Sequence, residues 1–104
     1  MDKILKYDFA KEFTDTPGPR YKTLGSFSGE EFREVLTHLL KQYEKIEIDG
    51  SGIKSSFSPS FLSEAFSLLC REMGEEIFFN KVSLTSSKNP KLKEKFEFYS
   101  KNLE

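Results

Sequence analysis

The chain has 104 residues, 16 Lys and Arg against 17 Asp and Glu, and 37% hydrophobic residues. This length fits one small domain, and the formal net charge of −1 does not favour a nucleic-acid partner, since nucleic-acid binders usually carry a strong basic excess. The single Cys and single His exclude an internal disulfide, a thiolate-rich zinc site and most His-based catalysis, whereas 11 Phe predict an aromatic core.

The sequence contains no N-terminal apolar stretch typical of a signal peptide, and no segment approaches the ~20 apolar residues of a membrane helix. We therefore expect a cytoplasmic protein without membrane association. Because a serine nucleophile needs a base and the one His is predicted on an outer helix face, we expect no enzyme activity, no metal and no cofactor.

The first part of the chain predicts extended structure. Residues 3–9 partly alternate between polar and apolar side chains, which predicts a strand. Two prolines around a glycine predict a loop over residues 14–20. Residues 21–27 are interpreted as a second short strand, with Gly25 as a bend or bulge.

The first helix has the clearest signal. Ser28 is a natural N-cap, and Glu31 three residues later completes a capping box. His38 lies off the apolar face of this helix. That face is formed by side chains at helical spacing, namely Phe32, Val35, Leu36, Leu39, Leu40 and Tyr43.

A second strand–helix pair follows. Residues 45–49 alternate as a short strand, and a Gly/Ser-rich loop extends to Ser60. Pro59 suits the first position of a second helix, which makes Ser58 its N-cap, with Ser60 as the competing choice. Gly74 is the predicted end. The buried face comprises Phe61, Leu62, Ala65, Phe66, Leu68, Leu69 and Met73.

Residues 76–85 are interpreted as a further strand, of which residues 82–85 are either strand or loop. Asn89 and Pro90 begin a third helix. Its apolar face comprises Leu92, Phe96, Tyr99 and Leu103. Its lysines, at positions 88, 91, 93 and 95, interleave with glutamates and indicate an ordinary helix surface. Strands alternating with helices predict a parallel or mixed sheet covered by helices.

Two groups of residues are candidates for ligand binding. The serine-rich start of the second helix is either a simple capped turn, an anion site or a site of serine phosphorylation, because helix N-termini favour negative charge. The guanidinium groups of Arg20 and Arg33 either bind a phosphate or carboxylate or face solvent beside the capping box.

The second helix carries two further polar candidates and the lone thiol. Glu64 and Arg71 share its polar side, which is either a solvated face or a surface for docking a partner. Cys70 lies at the edge of the apolar side and is interpreted as a partly buried core thiol.

Three stretches carry a resemblance to a known family: residues 18–20, residues 25–33 and residues 58–66, with residues 46–49 as the preceding central strand. On these, the chain resembles the bacterial STAS-like domain family of unknown function, related to the STAS domains of anti-sigma-factor antagonists. The resemblance implies an α/β fold: a single STAS-like domain over residues 1–104, with four or five strands in a mixed sheet and helices mainly on one face.

The resemblance also implies a function. Anti-sigma-factor antagonists bind a GHKL-type serine kinase and are switched off when it phosphorylates a serine at the start of the helix after the central strand. Their pattern is Asp-x-Ser-Gly-x-x-x-x-Asp-Ser-Ser-Gly-Leu. Here Asp49, Ser51 and Gly52 match its first half. The column of the phosphorylated serine falls on Ser58.

The second half of the pattern differs in this chain. Phe57 replaces the acidic residue, Pro59 follows the acceptor position and Ser60 replaces the glycine. Ser58 is therefore the first candidate for phosphorylation and Ser60 the second.

The leading hypothesis is a non-enzymatic signalling module that works by partner switching, is a monomer or weak dimer, and docks a GHKL-type ATPase or kinase or a similar regulator. Its candidate partner-binding residues are Ser58, Ser60, Glu64 and Arg71. The alternative is a small anion- or nucleotide-binding or nucleic-acid-associated accessory domain that uses Arg20, Arg33 and residues 58–60.

Overall fold

A computed structural model describes residues 3–102. The strands are β1 (Ile4–Asp8), β2 (Lys45–Asp49) and β3 (Val82–Thr85). The helices are α1 (Phe9–Glu12), α2 (Gly29–Leu40), α3 (Pro59–Leu62), α4 (Leu68–Met73), α5 (Glu75–Lys81) and α6 (Leu92–Lys101). A 3₁₀ turn spans Lys22–Leu24, and a π-helical segment, Ser63–Ser67, joins α3 to α4. Residues 59–73 thus form one continuous helix, the central helix.

The three strands form a parallel sheet in the order β1-β2-β3. One face is apolar and buried, as in the row of Tyr7, Ile48 and Leu84. The next row along the strands, which comprises Lys6, Glu47 and Ser83, lies on the opposite face and is exposed or half-buried. This alternation means that the core lies on one side of the sheet, whereas most parallel sheets are covered on both.

The core is built from phenylalanine, as the composition predicted. Seven of its largest fully buried side chains are Phe9, Phe32, Phe57, Phe61, Phe66, Phe78 and Phe96. Phe32 of α2 lies among other rings, with centroid distances of 5.1 Å to Phe9, 5.8 Å to Tyr7 and 5.9 Å to Phe66. All three pairs meet edge to face, a favourable aromatic geometry, so the rings interlock the strands with the helices.

The expected sheet of four or five strands in mixed orientation is wrong, because residues 3–102 form three strands that are all parallel. Residues 21–27, interpreted as a strand, instead contain the 3₁₀ turn. The Gly18 amide donates to the Phe27 carbonyl at 3.0 Å and closes the loop, and every side chain from Tyr21 to Phe27 is exposed. With no face to bury, this segment gains nothing by pairing in a sheet.

Residues 76–81, also predicted as a strand, lie in α5. Only Phe78 of the apolar run is fully buried, Phe79 is half-buried and Ile77 is exposed, which is a helical rather than a continuous strand pattern. Short apolar runs do not distinguish helix from strand by periodicity alone.

The other predicted elements are confirmed: the strands near residues 3–9 and 45–49, the three main helices, the end of the central helix at Gly74, and a strand over residues 82–85. The third helix begins at Leu92 rather than at Asn89 and Pro90, and Leu68, predicted on the buried face of the second helix, is exposed. Leu103, assigned to the apolar face of the last helix, lies outside the described residues. Between residues 3 and 102 no helix is long and apolar enough to cross a membrane.

The aromatic cluster predicts a large effect of truncating Phe32. The Phe32→Ala variant should lose about 3–5 kcal/mol of unfolding free energy, because it leaves a cavity in a fully buried site. Phe98→Ala is the matched control, since the Phe98 side chain is 58% exposed, and it should change stability by about 0.5 kcal/mol or less. Urea unfolding of both variants measures the difference; equal losses would contradict the described core.

Candidate functional site

The start of the central helix is formed by Ser58 and Pro59. The Ser58 hydroxyl accepts a hydrogen bond from the Phe61 amide at 3.0 Å, and Pro59 occupies the first helical position. This confirms Ser58, rather than Ser60, as the N-cap. Ser58 is also exposed to solvent, whereas Ser60 in the first turn is half-buried.

Phe57, which replaces the acidic residue of the antagonist pattern, anchors this helix start. Its side chain is 2% exposed, and its ring lies 4.8 Å from Phe9 and 5.5 Å from Phe61. Lys95 of α6 donates from Nζ to the Phe57 carbonyl at 3.3 Å. Ser58 is therefore held between a buried ring on one side and a helix on the other.

The residues that match the first half of the pattern form a turn at the carboxyl end of β2. The Ser51 amide donates to Asp49 Oδ1 at 2.9 Å, and hydrogen bonds from Ser51 lower the pKa of the Asp49 carboxyl. The Ser51 hydroxyl accepts from the Ser87 amide at 2.8 Å. This turn links the loop after β2 to the segment after β3, at the edge of the sheet where α/β proteins commonly bind ligands.

Glu64, expected on an exposed polar side of the second helix, is buried. Its carboxylate forms an ion pair with Arg33 of α2, whose Nη1 also donates to the Glu64 carbonyl at 3.1 Å. The side chains of Arg33 and Glu64 are only 22% and 11% exposed. The expected exposure is wrong because α2 covers this part of the central helix.

Gly29 lets the two helices come this close. A Cβ at Gly29 would lie 2.7 Å from the Phe61 carbonyl oxygen and 3.1 Å from the Glu64 Cβ. Only a residue without a side chain fits there, since the Phe61 carbonyl belongs to the backbone and cannot turn aside. The first turn of α2 is therefore pressed against the central helix, with Arg33 one turn further on.

The predicted partner-binding residues do not form one surface. Ser58 and Ser60 lie at the start of the central helix, Glu64 is inside, and Arg71 is exposed near the other end. The 13 positions from residue 58 to residue 71 correspond to roughly 20 Å along a helix. Ser58 and Arg71 therefore belong to separate parts of the surface.

The two arginines proposed for anion binding have different surroundings. The Arg33 guanidinium is paired with Glu64. The Arg20 guanidinium carbon lies 5.9 Å from the ring centroid of Tyr21, and the Arg20 carbonyl accepts from the Glu30 amide at 2.9 Å. The Gly29 amide donates to Pro19 in the same way. Loop carbonyls thus occupy the amides that begin α2, while anion binding by Arg20 and Arg33 stays a prediction.

The thiol lies in the core, as predicted. Cys70 is 2% exposed, and burial raises the pKa of its thiol, which disfavours the reactive thiolate. His38 is exposed on α2. Across the described chain, no three His, Cys, Asp or Glu side chains cluster as they would around a metal ion.

A cleft at the carboxyl edge of the sheet was missed by sequence reasoning. It lies between the loop after β2 and the start of α6, and Lys88 and Lys95 are among its lining residues. The sequence showed these lysines only as part of a mixed charge pattern. Their position opposite the serine-rich loop results from tertiary packing, so no local signal indicated it.

Residues 28–92 match the family described as STAS-like domains of unknown function. The match begins at the N-cap of α2, ends at the first residue of α6, and includes β2, β3 and the whole central helix. The chain belongs to this family of STAS-like α/β domains. It matches no curated protein and no solved structure.

The Arg33–Glu64 pair predicts a strong asymmetry between single and double substitution. Arg33→Met should lower the unfolding free energy by about 3–5 kcal/mol, because a buried carboxylate loses its counter-charge. The double variant Arg33→Met/Glu64→Leu should recover most of that loss, since both charges are then gone.

The exposed pair of Lys22 and Glu34 gives the matched control, with side chains 45% and 58% exposed. Glu34→Gln should leave the urea midpoint unchanged, because water screens exposed pairs. If Arg33→Met were as mild as Glu34→Gln, the ion pair would not hold α2 to the central helix.

Proposed function

We propose that this chain is a non-enzymatic partner-switching module that docks a GHKL-type serine kinase or ATPase and is released when that kinase phosphorylates Ser58. Membership of the STAS-like family supports the type of module. We place the protein in the cytoplasm, because its one Cys is a buried free thiol and reducing compartments keep thiols reduced.

The observation that carries the proposal is the position of Ser58. Ser58 is an exposed residue at the start of a helix that directly follows the loop after the central strand β2, which is the acceptor position in anti-sigma-factor antagonists. The next residues of the helix, 61–67, are all buried. A partner therefore has access to the start of this helix and the loop before it, and not to residues 61–67.

The surface around Ser58 includes a neighbouring loop. The Lys54 amide donates to the Asp15 carbonyl at 2.7 Å, and Lys54 Nζ lies 3.4 Å from Asp15 Oδ2. Hydrogen bonds from Thr16 and Lys54 lower the pKa of the Asp15 carboxyl, which stays ionised. These contacts fix the serine-rich loop before Ser58 on the domain and give a docking partner an ordered surface.

Phosphorylation of Ser58 would change the charge of this surface without removing the helix cap. A phosphoserine carries close to two negative charges at neutral pH, and the helix N-terminus stabilises them. Because Phe57 is buried and Pro59 is already helical, the acceptor cannot be drawn out as an extended peptide. The kinase must therefore dock on the folded domain in order to phosphorylate Ser58.

Two other assignments have less support. Ser60 is the second candidate acceptor, but it is half-buried in the first helical turn. The alternative function, nucleotide or anion binding through Arg20, Arg33 and residues 58–60, is weakened because Arg33 is paired with buried Glu64.

Substitutions at Ser58 test the switch, with the GHKL-type kinase encoded nearest to this gene as the purified partner. Ser58→Asp and Ser58→Asn have nearly the same shape and both cap a helix, but only Asp adds charge. By calorimetry, Ser58→Asn and Ser58→Ala should bind as the unsubstituted chain does, and Ser58→Asp should bind about tenfold or more weakly.

Measurement of the intact mass of each chain, after incubation with the same kinase and ATP, completes the test. The unsubstituted chain and Ser60→Ala should each gain one phosphoryl group, and Ser58→Ala should gain none. Equal affinities of Ser58→Asp and Ser58→Asn would show that charge at this position does not switch binding.

A further inference from the structure

At the carboxyl edge of the sheet, the cleft between the loop after β2 and the start of α6 is positively charged. Its volume is about 140 Å³, and two of its lining side chains, Lys88 and Lys95, are cations. No Asp or Glu lines it. Phe57 and Leu92 also line it and are each 2% exposed, so the cleft has an apolar floor and a positive rim.

Hydrogen bonding leaves donors in this cleft. The Ser86 hydroxyl accepts from the amides of Lys88 and Asn89, both at 3.1 Å. The Ser51 hydroxyl accepts from the Ser87 amide at 2.8 Å and from the Ser87 hydroxyl at 3.1 Å. A hydroxyl has one donor and two acceptor sites, so the remaining capacity of Ser86 is to donate, whereas the Ser51 hydroxyl already donates to the Asp49 carboxylate. Two ammonium groups and the donating hydroxyl of Ser86 are a set that suits an oxyanion.

Hydrogen bonds across the cleft hold its two sides in place. Lys95 Nζ donates to the Phe57 carbonyl at 3.3 Å, which places its ammonium group beside the loop. The hydrogen bonds between Ser51 and Ser87 tie the loop to the segment after β3. The nearby Asp49 carboxylate lines a separate depression on the open face of the sheet. The walls of the cleft are therefore formed before any ligand arrives.

We propose that this cleft binds a small tetrahedral oxyanion, either inorganic phosphate or the phosphate end of a monoester, through Lys88, Lys95 and the hydroxyl of Ser86. Its size argues for a small ligand, since pockets for drug-sized molecules measure roughly 300–1,000 Å³. A whole nucleotide does not fit within it. This site is separate from Ser58, which does not line the cleft, and it does not depend on the proposed phosphoswitch.

Thermal unfolding with added inorganic phosphate tests the site. At constant ionic strength, set with sodium chloride, the unfolding midpoint of the unsubstituted chain should rise with phosphate concentration, because a ligand that binds only the folded state stabilises it. Each variant is compared with its own midpoint in the absence of phosphate, so any loss of stability from the substitution itself is removed.

Lys95→Gln and Ser86→Ala should each weaken phosphate binding, and Lys88→Gln/Lys95→Gln should weaken it by about tenfold or more. Lys93→Gln is the matched control, since Lys93 is exposed on the same helix and does not line the cleft. O-phosphoserine replaces inorganic phosphate in a second series. Tighter binding of the monoester would identify the phosphate end of a larger molecule as the natural ligand. Tighter binding of inorganic phosphate would identify the free anion as the natural ligand.

Two results would overturn the proposal. One is the absence of any shift with either ligand at tens of millimolar. The other is an equal shift in Lys88→Gln/Lys95→Gln and Lys93→Gln, which would mean that phosphate acts elsewhere on the surface. Neither result bears on Ser58, because neither measures phosphorylation or binding of a protein partner.

Discussion

The rest of the structure depends on the burial of the central helix. All residues from 61 to 67 are buried, and both α2 and α6 contact this segment. Gly29 permits the close approach of α2, and the Arg33–Glu64 pair neutralises the one carboxylate that this burial removes from water. Since an unpaired buried charge is costly, Arg33 opposite Glu64 offsets the cost of burying this carboxylate beside the phenylalanine core.

This constraint also decides where function can lie. The central helix is buried over residues 61–67, and its accessible start meets the carboxyl edge of the sheet through the loop that follows β2. The exposed Ser58 directly follows Phe57, which lines the cleft together with Lys88 and Lys95 and whose carbonyl accepts a hydrogen bond from Lys95. The proposed phosphorylation site and the proposed oxyanion site are therefore neighbours formed by different side chains.

Local signals in the sequence predicted much of this. Ser28 and Ser58 cap their helices as expected, and Phe32 and Leu36 of the apolar face of α2 are fully buried. Capping residues and helical spacing act over a few positions, so they can be found without the fold. The strand predicted at residues 76–81 failed because a short run such as Ile77-Phe78-Phe79 satisfies either periodicity.

The features of the candidate site depend on tertiary packing and were therefore harder to predict from the sequence. A glutamate on a helix is normally exposed, and nothing adjacent to Glu64 in the sequence indicated that Arg33, 31 positions earlier, would bury it. The sequence did not indicate the position of the cleft lysines either, because Lys95 and its hydrogen-bond partner Phe57 are 38 positions apart. The Asp49 and Ser51 match was visible in sequence, whereas the turn that they form with Ser87 was not.

The central claim is that a partner recognises Ser58 only as part of the folded domain. The most direct measurement compares phosphorylation of the intact chain with that of a synthetic peptide of residues 51–66, which contains the same serines. With the same GHKL-type kinase and equal substrate concentrations, we expect phosphate on Ser58 of the folded chain and none on the peptide. Modification of the peptide at the same rate would contradict it, because recognition would then need only the local sequence.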